Sequence, residues 1–372
     1  MVASSNNPTI ANTTQALVRR LSGVLPIHPH VLTALVSALI DLLPLIAVIT
    51  GEEQRRDLLA TLCDWGLPAH RLRAVRSSAA GLWVRDYGPQ FIRRGDALSV
   101  IDAEYGYTGG RPDDDQFPTD LARLLGLEVE SIPLKVDGGN LLSNGRGVLL
   151  TTSGVVTRNA GDFTPQQVMA QLNRHYGFRQ IACPSPLVAG PTAHSDMFAT
   201  FTAADTLVLG KYDPADDPVN AAMLDRVADG MRGMDTGAGP LKVERIPMPP
   251  HPDGVWRTYT NAVYANDTVV VPVYAGVDEK LEREALDTYR RLLPGRQIVP
   301  VEATSLAKTG GALRCVTLNI PHLGHPIPLE ESSDALTART TTPPRPSRLD
   351  AFLSPPALGW YGPRRSVLQM EA

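Results

Sequence analysis

Apolar and polar positions along the chain switch repeatedly between helical and strand spacing, and each switch marks a short element. The longest apolar stretch, Val31 to Thr50, is interrupted by Asp41 and Pro44. A carboxylate and a proline in mid-run make a membrane span costly. They predict a buried helix ending near Leu43, then a core strand over Leu45–Thr50. Glu52–Trp65 sets Leu58, Leu59 and Leu62 on one side and charges on the other, the pattern of an amphipathic helix. Arg71–Arg76 reads as a strand, and Phe91–Ile92 with Leu98–Ile101 flank Arg93-Arg94-Gly95-Asp96 as the arms of a hairpin. Further helices are predicted around Thr119–Leu125, Pro165–Tyr176, Ala221–Met234 and Glu279–Leu293, the last stopped by Pro294-Gly295. Strands are predicted over Leu127–Pro133, Gly147–Thr152, Met197–Thr202, Thr206–Leu209, Leu241–Ile246, Thr258–Ala265, Thr268–Val273 and Gln297–Val301.

The recurring order is strand, strand, helix, strand, carried to about Pro321 with no matching sequence repeat. A folded domain is therefore expected over residues 31–323. The segment 1–30, which opens Ser/Asn-rich, is expected to be poorly ordered. The segment 324–372, with Thr340-Thr341-Thr342-Pro343-Pro344, is polar and Pro-rich and is expected to be disordered.

Composition narrows the class of protein. Of 372 residues, 43% are hydrophobic and 20% charged, the usage of a soluble α/β globule. Net charge is −4, from 35 basic and 39 acidic residues, so no overall basic field exists to hold a nucleic acid. Cys63, Cys183 and Cys315 are odd in number and widely spaced, which argues against a disulfide framework and a structural metal. Met1 to Asn12 contains no basic stretch followed by an apolar one, as a secretory signal would. A cytoplasmic location is expected, with neither membrane nor nucleic acid as partner.

Four segments carry candidate chemistry, all where loops at strand ends tend to hold function. Trp83-Val84-Arg85-Asp86-Tyr87-Gly88-Pro89 sets an Asp between an Arg and a Gly-Pro turn, although exposed Arg–Asp neighbours are common and contribute little. Val136-Asp137-Gly138-Gly139-Asn140 has two glycines that permit close backbone approach, and alone it reads as a plain turn. In His194-Ser195-Asp196-Met197-Phe198, strand alternation would turn His194 and Asp196 to one face. In Gly310-Gly311-Ala312-Leu313-Arg314-Cys315, the cation of Arg314 beside Cys315 is a feature that can lower a thiol pKa. Cys63, in an amphipathic helix, and Cys183, beside Pro184, look structural by contrast.

Taken in order, these segments resemble the guanidine-modifying enzyme superfamily, and within it the bacterial (Porphyromonas-type) peptidylarginine deiminase and agmatine deiminase family. Tyr259-Thr260-Asn261-Ala262, Val270-Val271-Pro272 and Cys315-Val316-Thr317 belong to the same likeness, which covers about Leu45 to Pro321. Arg111-Pro112-Asp113-Asp114-Asp115 looks closer to the peptidylarginine-type branch. Arg314 departs from the agmatine-type branch, which has His before the nucleophile.

The resemblance implies a five-bladed pseudo-symmetric α/β-propeller of ββαβ repeats, with the active site in a central channel. It implies a deiminase that converts an arginine-type guanidinium (peptidyl-arginine, arginine or agmatine) to a ureido group and ammonia. Cys315 would be the nucleophile and His194 the acid and base. Asp137 would orient His194, and Asp86 and Asp196 would grip the guanidinium. Trp83, Arg85, Asn140 and Arg314 are the further substrate-binding candidates. Arg314 and Arg257 both remain open as partners for an α-carboxylate. No metal or organic cofactor is implied. The expected partner is a guanidino small molecule or an arginyl peptide, with a homo-oligomer left open. An amidinotransferase and a catalytically weak arginine-binding relative remain as alternatives.

Overall fold

The computed structural model describes residues 31–68, 71–79, 81–106 and 111–323, with the backbone alone of 2–4, 13–19 and 29–30. The predicted tail, 324–372, lies outside the described residues. Strands β1 (Val2–Ser4) and β2 (Thr13–Arg19) come before helix α1 (Pro29–Leu39). In α1, Leu32, Leu35, Val36 and Leu39 are buried at the spacing of one helical face. The helix stops before Asp41, the chain turns over residues 40–43, and after Pro44 strand β3 (Leu45–Ile49) is buried at every position. Helix α2 (Glu52–Asp64) buries Leu58 and Leu62 and leads to β4 (Leu72–Arg76), parallel to β3. Among the described residues, no helix is long and apolar enough to cross a membrane.

A one-turn helix, α3 (Val84–Tyr87), then leads into the next sheet. Strands β5 (Gln90–Arg94) and β6 (Ala97–Glu104) form the predicted hairpin, and Gly95 makes its turn at φ 62°, a conformation glycine adopts without strain. Helix α4 (Pro112–Leu124) carries the chain over to β7 (Glu128–Lys135), parallel to β6. The same unit follows in β8 (Leu142–Ser143), β9 (Val148–Leu150), α5 (Gly154–Asn159), α6 (Pro165–Tyr176) and β10 (Gln180–Ala182). It recurs in β11 (Ala199–Ala203), β12 (Thr206–Lys211), α7 (Pro218–Met231) and β13 (Lys242–Pro247). The last complete copy is β14 (Val263–Ala265), β15 (Thr268–Val273), α8 (Glu279–Leu292) and β16 (Gln297–Glu302). In each copy two antiparallel strands are followed by a helix and a third strand parallel to the second.

The fifth sheet joins strands that lie about three hundred residues apart in sequence. Strand β17 (Thr317–Pro321) runs antiparallel to β2, and the sheet order is β17-β2-β3-β4. The result is an α/β fold of five small sheets of three or four strands each. Residues 13–19, which the apolar pattern leaves outside the domain, supply an inner strand of one sheet.

Three local departures have physical causes. Helix α4 starts at Pro112 rather than near Thr119, because Pro112 opens it, Asp113 and Asp115 lie in its first turn, and it continues through Pro118. The predicted strand Thr258–Ala265 shrinks to β14. Upstream of it, Thr258 N donates to the Tyr274 hydroxyl and Thr260 Oγ1 to Asp196 O, so side-chain bonds replace the ladder. Residues Ser195–Met197 form a 3-10 turn instead of opening a strand, so strand alternation does not govern His194 and Asp196.

The short helix α3 is held from outside by α4. Phe117 of α4 is buried and meets the Tyr87 ring edge-on, centroids 5.6 Å apart at 75°. Phe117→Ala is expected to cost roughly 3–5 kcal/mol of stability, read from the midpoint of denaturant unfolding.

Candidate active site

Cys315 lies just before β17 and is buried. Its Sγ accepts a hydrogen bond from Asn261 Nδ2 at 3.3 Å. Asn261 Oδ1 accepts in turn from the backbone N of Arg314 (2.9 Å) and of Cys315 (3.2 Å). One side chain thus fixes both the thiol and the loop that carries it. From the other side, Arg85 N donates to Cys315 O at 3.1 Å, which ties α3 to the same loop.

His194 stands between two carboxylates. Its Nε2 pairs with Asp137 Oδ2 at 2.8 Å, and its Nδ1 lies 3.5 Å from Asp86 Oδ1. Asp137 is held further by Arg158 of α5 and by Gly106 N at 3.1 Å. Asp86 Oδ1 accepts from Gly139 N at 3.2 Å. The turn Gly138–Asn140 can lie this close only because it lacks side chains there. A β-carbon on Gly139 would stand 2.5 Å from Asp86 Oδ1, 2.7 Å from His194 Nδ1 and 3.2 Å from Asp196 Oδ2. Gly311 has the same role beneath Trp83, since a β-carbon there would lie 2.5 Å from the indole ring and 3.2 Å from Cys315 Cβ.

Asp196 is fully buried, and its Oδ2 accepts from Arg314 Nη1 at 2.6 Å. Its backbone O accepts from Thr260 Oγ1. Asn140 Oδ1 accepts from Ser195 N at 3.0 Å, so its carbonyl end holds the His194–Asp196 turn. Arg85 sends Nη2 to Asn319 Oδ1. Arg257, by contrast, is paired with Asp253, Nη2 to Oδ2 at 2.6 Å.

The sequence-selected residues Asp86, Asp137, His194, Asp196 and Cys315 therefore come together with Trp83, Arg85, Asn140 and Arg314. The spacing argument left two participants without a role. Asn261 sits in a Thr-x-Thr-Asn stretch that reads as strand; the family likeness includes it but gives it no role. Arg158 lies on a helix away from any motif, and no local signal links it to Asp137.

The electrostatics reverse one expectation. A neighbouring cation such as Arg314 can lower a thiol pKa, but here its charge faces Asp196. Burial first, then the Asp196 and Asp86 carboxylates, push the thiol well above its ordinary range, against the Asn261 hydrogen bond. Burial likewise raises Asp86, although His194 opposes it. Burial and then the nearby Arg314 bring Arg85 down to about 9.

Carboxylates gathered around a buried thiol, with an imidazole between two of them, suit an enzyme acting on a planar cation. The chain belongs to the Porphyromonas-type peptidyl-arginine deiminase family, whose profile matches residues 23–321. Peptidyl-arginine deiminase family members are hydrolases acting on C–N bonds in linear amidines. An agmatine deiminase of Stutzerimonas stutzeri is 26% identical over 313 residues, covering 74% of this chain and 83% of the relative. The C. jejuni agmatine deiminase superposes with a TM-score of 0.72 at 18% identity, over 87% of this chain and 96% of that one. Agmatine deiminase of Enterococcus faecalis gives a TM-score of 0.72 at 19% identity, over 84% and 94% of the two chains. At such identities the structural likeness speaks for the α/β fold.

Two outcomes are expected from this geometry. Gly139→Ala should cut activity about 100-fold or more while moving the melting temperature little, since the added carbon meets site atoms rather than core. A raised thiol pKa means little thiolate at neutral pH. The rate of Cys315 alkylation by iodoacetamide in the free protein should therefore keep climbing beyond pH 9, where an activated thiol would already have levelled off.

Proposed function

We propose that the chain hydrolyses an arginine-type guanidinium to a ureido group and ammonia through a covalent adduct on Cys315. We also propose that its five sheets are the blades of a pseudo-symmetric propeller, with the site in the central channel. The observation that carries the reading is the meeting of Cys315, His194, Asp86, Asp137 and Asp196, from four separate segments of the chain, in one buried cluster. Family membership supports the same reaction.

A guanidinium is a poor electrophile because its charge is delocalised, so it has to be held and desolvated before attack. Asp86 and the free oxygen of Asp196 accept its N–H groups. The arriving cation offsets the two carboxylates that keep the thiol protonated, so Cys315 passes its proton to His194 as substrate binds. Sγ then attacks the guanidinium carbon and forms the C–S bond. His194, oriented by Asp137, protonates the departing nitrogen, and ammonia leaves as the C–N bond breaks. Water takes its place. His194 removes one proton from it as the C–O bond forms; the C–S bond then breaks to return the thiolate, the remaining hydroxyl proton is lost to solvent, and the neutral ureido product is released.

The test is ammonia and ureido release from agmatine, arginine and an arginyl peptide. Cys315→Ser is expected to abolish both with the fold intact, and continued ammonia release would refute the nucleophile. Asp86→Asn keeps the volume but removes the charge facing a desolvated cation. It should lower kcat/KM by roughly 30-fold or more, the low end of the cost of breaking a buried charge pair. Asn261→Ala removes the hydrogen bond to Sγ, and single-turnover ammonia release should slow by about tenfold or more.

A further inference from the structure

The ion pair between Arg314 and Asp196 is an open fork. Arginine and carboxylate usually meet through two parallel bonds, but here a single one is made, Nη1 to Oδ2 at 2.6 Å. Both groups are buried, with 7% of the Arg314 side chain and none of Asp196 exposed. The other arms, Arg314 Nη2 and Asp196 Oδ1, have no hydrogen-bond partner among the described residues. A buried donor and a buried acceptor left unpaired on one ion pair are costly, so a ligand that satisfies both gains from each.

The two ends of the reaction fit this fork differently. A guanidinium offers only donors. It can serve Asp196 Oδ1, but it meets Arg314 Nη2 donor to donor and cation to cation. A ureido group is neutral and carries an N–H beside a C=O. The N–H can donate to Oδ1, and the carbonyl oxygen can accept from Nη2. Resting on the deiminase reading above, we propose that Arg314 is a specificity-determining residue. It makes the Asp196 end of the site recognise the ureido product, so that product accumulating in solution inhibits the enzyme. Asp196 and Arg314 then read the oxygen that hydrolysis introduces, and turnover slows as its own product builds up.

The experiment measures the KM of whichever of agmatine, arginine or arginyl peptide is turned over, and inhibition by N-butylurea and N-butylthiourea. Sulfur is a weak acceptor, so in the wild-type protein the thiourea should inhibit about tenfold less than the urea. Arg314→Lys keeps a cation on Asp196 but loses the planar second arm. In that variant the ratio of the urea inhibition constant to the substrate KM should rise about tenfold, and the urea and thiourea should become equal. An unchanged ratio in Arg314→Lys, or equal inhibition by urea and thiourea in the wild type, overturns the inference and leaves the deiminase reading standing. If Arg314→Lys does not fold, the wild-type comparison of urea with thiourea decides alone. Absence of ammonia from every guanidino substrate in the wild type overturns both.

Discussion

Charge removed from water has to be balanced inside the protein, and the centre around Cys315 is organised by that demand. Asp86, Asp137 and Asp196 supply negative charge, and Arg85, Arg158 and Arg314 supply positive charge. Of these, Arg158 alone reaches substantially toward solvent. The rest are shielded, so their interactions are strong and their positions are held tightly. Arg314 pairs with Asp196 and Arg158 with Asp137, while burial raises the pKa of Asp86 against the opposing effect of His194. Against that background burial and the Asp196 and Asp86 carboxylates hold the thiol above its ordinary range. In the proposed reaction the nucleophile is thus controlled by the charge of what enters, more than by its neighbour in sequence.

Backbone and amide groups set the distances at which these charges act. Asn261 bonds to the sulfur with one end of its side chain and to the loop amides with the other, so moving the loop moves the thiol. Gly139 lets a turn settle among three functional side chains, and Asn140 beside it fixes the neighbouring turn through Ser195 N. The irregular stretch before β14 has the same purpose. It gives up ladder bonds, and its Thr260 hydroxyl reaches the backbone of Asp196.

The parts of the fold legible in the sequence are those whose apolar spacing is undisturbed. Helix α6 and strand β15 fall at the positions their spacing gives, because their burial is decided locally. Strand β2 is not legible, since its place depends on pairing with β17 at the far end of the chain. Among site residues, the acid, His and Cys types show through their motifs and the family likeness. The partner of each charge does not. Arg314 is next to Cys315 in sequence yet faces Asp196, and Arg158 reaches Asp137 from another helix. Such pairings are made by topology, and no window of sequence contains both members.

The closing of the last sheet bears on when the enzyme comes into being during synthesis. Strand β17 pairs with β2 across roughly three hundred residues of chain, whereas four sheets draw nearly all their strands from contiguous stretches. Those four can assemble as the chain leaves the ribosome, their local pairings favoured by short loops. Cys315 immediately precedes β17, and its carbonyl meets the Arg85 amide only when that end of the chain comes home. A nascent chain can therefore pair His194 with Asp137 while Asp196 still lacks Arg314 and no sulfur is present. On the proposed reading, reactivity comes late in synthesis, with the strand that closes the fifth sheet.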